Sequence, residues 1–212
     1  ADLAGKTLAA PIFDAGRKAW PAFAKSNKLA VDAVKWQTVE PALRETLLAR
    51  GDVDGITGFY FTSLLNLEAR GVKSDDIVAL KYPDFGVELY GNAIIASPKL
   101  MAENPKAVAG VLRAFNKALK EVIANPAAAI AYVKERDPLI NADLETRRLK
   151  LALDSSVVTP EVKLNGLGAV TPERMQRSIA ETAEAYALPK VPTAADLFNP
   201  NFLPSKTDRT LK

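Results

Sequence analysis

Along the first ninety positions, short apolar runs alternate with longer stretches of helical spacing, a pattern that predicts βα units built around a parallel sheet. Residues 6–11 (KTLAAP) read as a buried strand, and a helix over 16–27 follows, burying Trp20, Phe23 and Ala24. Residues 33–39 (AVKWQTV) form a second strand, and Pro41 opens a helix through Leu43, Leu47 and Leu48, since proline suits the first helical position. A third strand is expected over 55–60 (GITGFY), with a helix over 62–70 that Gly71 ends as a C-terminal cap. Residues 77–81 (IVALK) and 92–96 (NAIIA) are the fourth and fifth apolar runs, on either side of a stretch interrupted by proline and glycine.

From Ser97 onward the pattern becomes almost wholly helical. Val108, Val111, Leu112, Phe115, Leu119, Val122 and Ile123 recur at helical spacing, and Asn125-Pro126 stops one helix and starts the next. Asn141 caps a helix to Leu153, and Thr171-Pro172-Glu173 supplies a cap, a first-turn proline and a first-turn acid for a helix to Ala187. The tail from Pro189 has one short helical candidate, over 194–198, and is expected to run along a surface. These amphipathic helices must bury an apolar face, and the few strands ahead of them are too small a platform for both halves.

With 212 residues, 48% hydrophobic content and mean hydropathy near zero, the chain has the composition of a globular protein. Its 28 basic and 25 acidic residues are well mixed, so the net charge of +3 reflects a small excess rather than a basic patch, and nucleic acid is not an expected partner. There is no cysteine and no histidine, which excludes disulfides, thiolate nucleophiles, imidazole bases and imidazole metal ligands. No apolar run approaches the roughly 20 residues that span a bilayer, and the N-terminal ADLAGKT has no signal-peptide core. The sequence holds no P-loop, dinucleotide fingerprint, nucleophile elbow or calcium loop, and Asn-Gly-Leu-Gly at 165–168 is a turn signal only.

In open α/β sheets ligands lie beyond the carboxyl ends of the strands. The loop after the first strand, Ile12, Phe13, Asp14, Ala15, Gly16 and Arg17, occupies that position, with Asp14, Ala15 and Gly16 the candidate contacts, although Asp14 is equally suited to capping the helix. An acid there would repel a sulfonate or nitrate and favours a neutral or cationic heterocycle. At the end of the third strand, Thr57 and Gly58 allow close backbone approach and Tyr60 could stack on a planar ligand, while Phe59 and Phe61 are expected to point apart, one of them simply into the core. Trp36 suits the core better than a binding platform. Glu40 ends the second strand, Asp52 and Asp54 belong to a solvated turn, and Tyr82, Asp84, Tyr90 and Asn92 flank a presumed crossover, with Asn92 a further candidate contact.

Three segments, in this order and spacing, carry a resemblance: the opening DLAGKTLAAP, the run GDVDGITGFY after a helix ending LLARG, and YGNAIIASPKLMAENPKAVAGVLRAFNKAL followed by IANPAAAIAYV. The chain resembles the substrate-binding proteins of NMT1/THI5-like and sulfonate, nitrate and taurine-type ABC importers. The resemblance implies an α/β fold of the type II periplasmic-binding kind, a mixed sheet with flanking helices followed by a mainly helical C-terminal half. It also implies that residues 1–90 are lobe two and 91–212 the returning part of lobe one, with the N-terminal part of lobe one missing and a hinge near residues 82–92. It further implies a binding protein rather than an enzyme, needing no cofactor or metal. Such a protein is periplasmic or lipid-anchored, monomeric when complete, and delivers a small solute, such as a thiamine-precursor pyrimidine or a sulfonate, to a membrane permease. The alternatives are the effector-sensing domain of a LysR-type regulator, or a pyrimidine-synthesis enzyme, whose histidine and cysteine chemistry this chain lacks.

Overall fold

The computed structural model describes residues 2–211. In chain order the main elements are β1 (Thr7–Ala10), α1 (Ala15–Ser26), β2 (Lys35–Thr38), α2 (Arg44–Arg50), β3 (Gly55–Ile56), α3 (Tyr60–Glu68), α4 (Pro98–Glu103), α5 (Pro105–Ala124), α6 (Pro126–Arg136), α7 (Ala142–Ala152), α8 (Pro160–Asn165) and α9 (Pro172–Ala185). The chain divides into two compact units, one of residues 1–90 with 172–193, the other of residues 91–171 with 194–212. The division therefore does not follow a single cut at residue 90, because α9 packs against α1 and belongs with the first unit.

In the first unit β1 is the central strand, flanked by β2 and β3. Both pairings are parallel, with Leu8 opposite Trp36 and Gly55, so the sheet described is parallel rather than mixed. β1 is apolar on both faces and its Ala9 and Ala10 are fully buried, as expected for the middle strand of a covered parallel sheet. The expected fourth and fifth strands do not form. Isoleucine-rich sequence favours an extended backbone, but a ladder needs a neighbour, and residues 77–81 and 92–96 pair with no strand among the described residues. Val78 is accordingly 84% exposed and Ile95 91% exposed.

An aromatic cluster fills the core beneath β1 and β2. Trp20 and Phe23 stack at 5.5 Å, Trp36 meets Trp20 edge-on at 6.2 Å, and Tyr82 and Phe85 lie 5.0 and 5.4 Å from Phe23. The indole N–H of buried Trp20 donates to the Val31 carbonyl, so burial leaves no polar atom of that ring unsatisfied. The segment that leaves this core is held along its length. Tyr82 donates to the Gly16 carbonyl, the Asn27 amide to Phe85 O, Val87 is buried, and Arg174 and Ser178 of α9 bind the carbonyls of Glu88 and Leu89.

The second unit is helical. Asparagines 104, 125 and 141 each cap the helix that follows by accepting from the backbone N–H three residues on, at 3.1 to 3.2 Å. Two of these caps precede a proline, so the chain turns sharply between α4, α5 and α6. The tail docks on α5: Asn116 donates its amide to Asp208 O, and Arg209 reaches Leu167 O at 2.8 Å. α5 carries two apolar stripes where one was expected. Val108 is buried and Leu112 and Leu119 half-buried on one side, while Val111 and Phe115 are exposed.

Candidate functional site

The parallel arrangement brings the carboxyl ends of β1, β2 and β3 to one edge of the first unit, and the loops leading into α1, α2 and α3 start there. Five of the proposed contacts, Asp14, Ala15, Gly16, Thr57 and Gly58, lie in these loops or at the first turn of α1, and Tyr60 begins α3. Asn92 lies in the second unit, exposed, ahead of α4.

Asp14 is the hub. One carboxylate oxygen accepts the Arg17 N–H at 3.0 Å, capping α1, and also the Thr57 hydroxyl at 2.6 Å, which ties the loop after β1 to the loop after β3. The other accepts from Arg44 Nη1 at 3.0 Å, and the same nitrogen donates to Thr57 O at 2.7 Å. Both side chains of this ion pair are 13% exposed. A carboxylate so buried requires a cation, and Arg44, the first residue of α2, supplies it. The acidic repulsion expected from Asp14 is therefore neutralised within the protein, and the preference it implied for a neutral or cationic ligand loses its physical basis.

The glycines explain how the loops approach so closely. A Cβ on Gly16 would stand 2.9 Å from Thr57 Cβ, and one on Gly58 would stand 2.9 Å from Ser63 Oγ and 3.0 Å from Arg44 Nη1. Ser63 in turn donates to Glu45, a carboxylate only 2% exposed, at 2.8 Å. Tyr82 completes the packing through its hydrogen bond to Gly16 O. Burial, and secondarily the negative charge of Asp14, push its hydroxyl pKa above the ordinary tyrosine value, so it remains a donor.

Outside this network the wall offers apolar and aromatic surface. Ile12, Phe13 and Phe59 are more than half exposed, an unusual concentration of large apolar side chains along one loop edge. Because β3 ends at Ile56 rather than continuing to residue 60, Phe59 precedes α3 and Phe61 lies within it; their rings stack on each other at 5.3 Å instead of pointing apart, and neither is buried in the core. Tyr60 is half-buried with the Lys81 ammonium 4.5 Å from its ring centre. Trp36 packs on the core as expected. Asp54 lies at the opposite, amino end of the sheet and accepts from Thr7 N and Lys6 Nζ, which lower its pKa, in that order of importance.

Arg44 was missed by sequence reasoning, and Arg17 was placed in the loop after β1 without a role of its own. The signal available for Arg44 was Asp14 itself, since a buried acid demands a base from a neighbouring element. Among the described residues no group of three or more acids stands close enough to hold a metal ion, and no helix is long and apolar enough to cross a membrane.

This arrangement, loops at the carboxyl ends of a parallel sheet joined into one surface, defines an open-sheet α/β protein. Residues 1–129, more than half the chain, match the NMT1/THI5-like family, and the chain belongs to that family. It shares its fold with the periplasmic sulfonate-binding protein SsuA of a sulfonate ABC transporter from Methylobacillus flagellatus KT, at a TM-score of 0.63 and 20% identity. The match covers 95% of this chain and 59% of that one, so the chain spans well under two thirds of its structural neighbour. No curated protein matches it by sequence.

Proposed function

We propose that this chain is a solute-binding component of an ABC import system working outside the cytoplasmic membrane, in the periplasm or tethered there. The first unit supplies one wall of a solute crevice. A small polar or aromatic molecule, of the kind represented by a sulfonate or a thiamine-precursor pyrimidine, lies against the loop edge and is passed to a membrane permease. Binding requires only hydrogen bonds, charge and stacking, which suits a chain without histidine or cysteine, and no catalytic step is needed.

The single observation that carries this reading is the Asp14–Thr57–Arg44 network. It joins the loops after β1 and β3 into one surface already ordered before any ligand arrives, and such order reduces the entropy lost on binding. The family and the shared fold support the same reading.

Differential scanning of the chain against pyrimidines, sulfonates, nitrate and aromatic carboxylates tests it. A ligand of the folded state raises the melting temperature in proportion to the logarithm of its concentration above Kd. Loss of that rise in Gly58→Val, with the fold intact by circular dichroism, would assign binding to this edge. A folded sample that responds to none of these compounds would count against solute capture.

A further inference from the structure

We infer that the solute taken by this wall carries a negative charge, and that Arg17 selects for it; the inference rests on the solute-binding reading. The charges at the loop edge are of two kinds. Asp14 and Arg44 cancel, and buried Glu45 accepts from Ser63. What remains is Arg17 and Lys81 against Glu40, which is exposed just beyond β2. Lys81 lies over the Tyr60 ring.

Arg17 differs from Arg44 in what it binds. Its Nη1 donates to Ala10 O at 3.1 Å and to Thr38 Oγ1 at 2.9 Å, the last residues of β1 and β2, and its guanidinium carbon lies 5.0 Å from the centre of the Trp36 ring. These partners are all neutral. No carboxylate stands within ion-pair distance, and Nε and Nη2 donate to nothing among the described residues. The guanidinium is therefore fixed by two hydrogen bonds and a stacked indole, yet keeps its full charge and two unused donor nitrogens, at the edge where the strands end. A planar fork of that kind matches the paired oxygens of a carboxylate or sulfonate. Arg44 cannot serve in this way, because its charge is already matched by Asp14 in a buried pair.

The probes are charge-matched pairs: benzoate against benzamide, and benzenesulfonate against benzenesulfonamide, followed by melting temperature and by tryptophan emission, since Trp36 lies under Arg17. In the native chain the anion of at least one pair should bind about ten-fold tighter or more. Raising salt from about 20 to about 500 mM should erode that preference without weakening the amide. Arg17→Gln should abolish the preference, bringing the anion and its neutral partner to the same affinity, and Arg17→Lys should restore part of it. Should Arg17→Gln not fold, the salt dependence and Trp36 emission of the native chain decide the matter. Equal or tighter binding of the neutral members, or an anion preference that survives Arg17→Gln, would overturn the role of Arg17 and leave solute binding standing. If no member of either pair binds, and the wider panel is equally silent, the solute-binding reading fails and takes this inference with it.

Discussion

The two units of the molecule bury their apolar residues to very different degrees. Of the eighteen buried hydrophobic residues described, fourteen lie in the first unit and only Val108, Ile130, Leu153 and Leu167 in the second. Both units leave large apolar side chains more than half accessible, Ile12, Phe13 and Phe59 in the first and Ile95, Val111, Phe115, Tyr132, Leu139 and Leu164 in the second, but only the first sets an extensive core against them. One unit is organised around a shared aromatic cluster and a buried ion pair. The other is a run of well-capped helices whose ends are satisfied but whose faces are only partly covered. Capping and packing are thus separable: asparagine and proline define where a helix begins, but only a partner surface determines which of its faces is buried.

The sharpest way to break this contrast is to cut a large side chain from each unit. Trp20→Ala should lower unfolding free energy by about 3 to 5 kcal/mol, since the indole fills the aromatic cluster and donates to Val31 O. Phe115→Ala, at an exposed face, should change it by no more than about 0.5 kcal/mol, measured by urea unfolding. A comparable loss from Phe115→Ala would mean that the second unit has a core there after all.

Next in size is Arg44→Met. It leaves Asp14 buried without its cation and Thr57 O without a donor, and should cost about 3 kcal/mol. The double variant Arg44→Met with Asp14→Asn should recover part of that loss, a coupling readable in a double-mutant cycle.

Smaller effects come from single carboxylates. Glu181 in α9 has one oxygen shut from solvent and unpartnered, and its pKa is raised, chiefly by desolvation, against the lowering influence of Arg177. A carboxyl whose folded pKa exceeds its unfolded value binds its proton more tightly when folded, so stability falls as pH rises from the unfolded value of about 4.5 through the folded one. Glu181→Gln should flatten that decline and raise the melting temperature at neutral pH. Asp54 has the opposite sign: its lowered pKa adds stability above the unfolded value, lost as pH falls through the folded one. Because Asp54 is exposed, Asp54→Asn should produce the smallest shift, a slight loss of stability at neutral pH that vanishes as pH falls through the folded pKa.

The βα rhythm of the first unit was readable because each strand there is short and is followed within a few residues by a helix, and because β1 is apolar and α1 has a clear apolar face. β1 and α1 fall within a residue or two of where KTLAAP and Trp20, Phe23 and Ala24 put them. Where local pattern depends on a distant partner, it misleads. IVALK and NAIIA have the composition of strands but no neighbour to pair with among the described residues, and Val111 and Phe115 follow the helical period yet face away from the buried stripe. The loop after β1 was recognisable from strand polarity alone. The charge balance there was not, since Asp14 and Arg44 are 30 residues apart and nothing in the local sequence shows that the arginine turns inward.

The anchoring of residues 82–90 bears on how this protein could move. Tyr82 and Asn27 fasten the stretch near both ends of α1, and α9 grips the carbonyls of residues 88 and 89, with Arg174 set 4.2 Å from the Tyr90 ring. A backbone clamped in this manner cannot act as a swivel without first breaking several contacts. Bending at the exit from the first unit should therefore start beyond Tyr90, later than the prolines and glycines of 82–91 suggest, and hydrogen exchange should find the amides of Asp84, Gly86 and Val87, each donating to a carbonyl within 81–83, slower than those of residues 91–96.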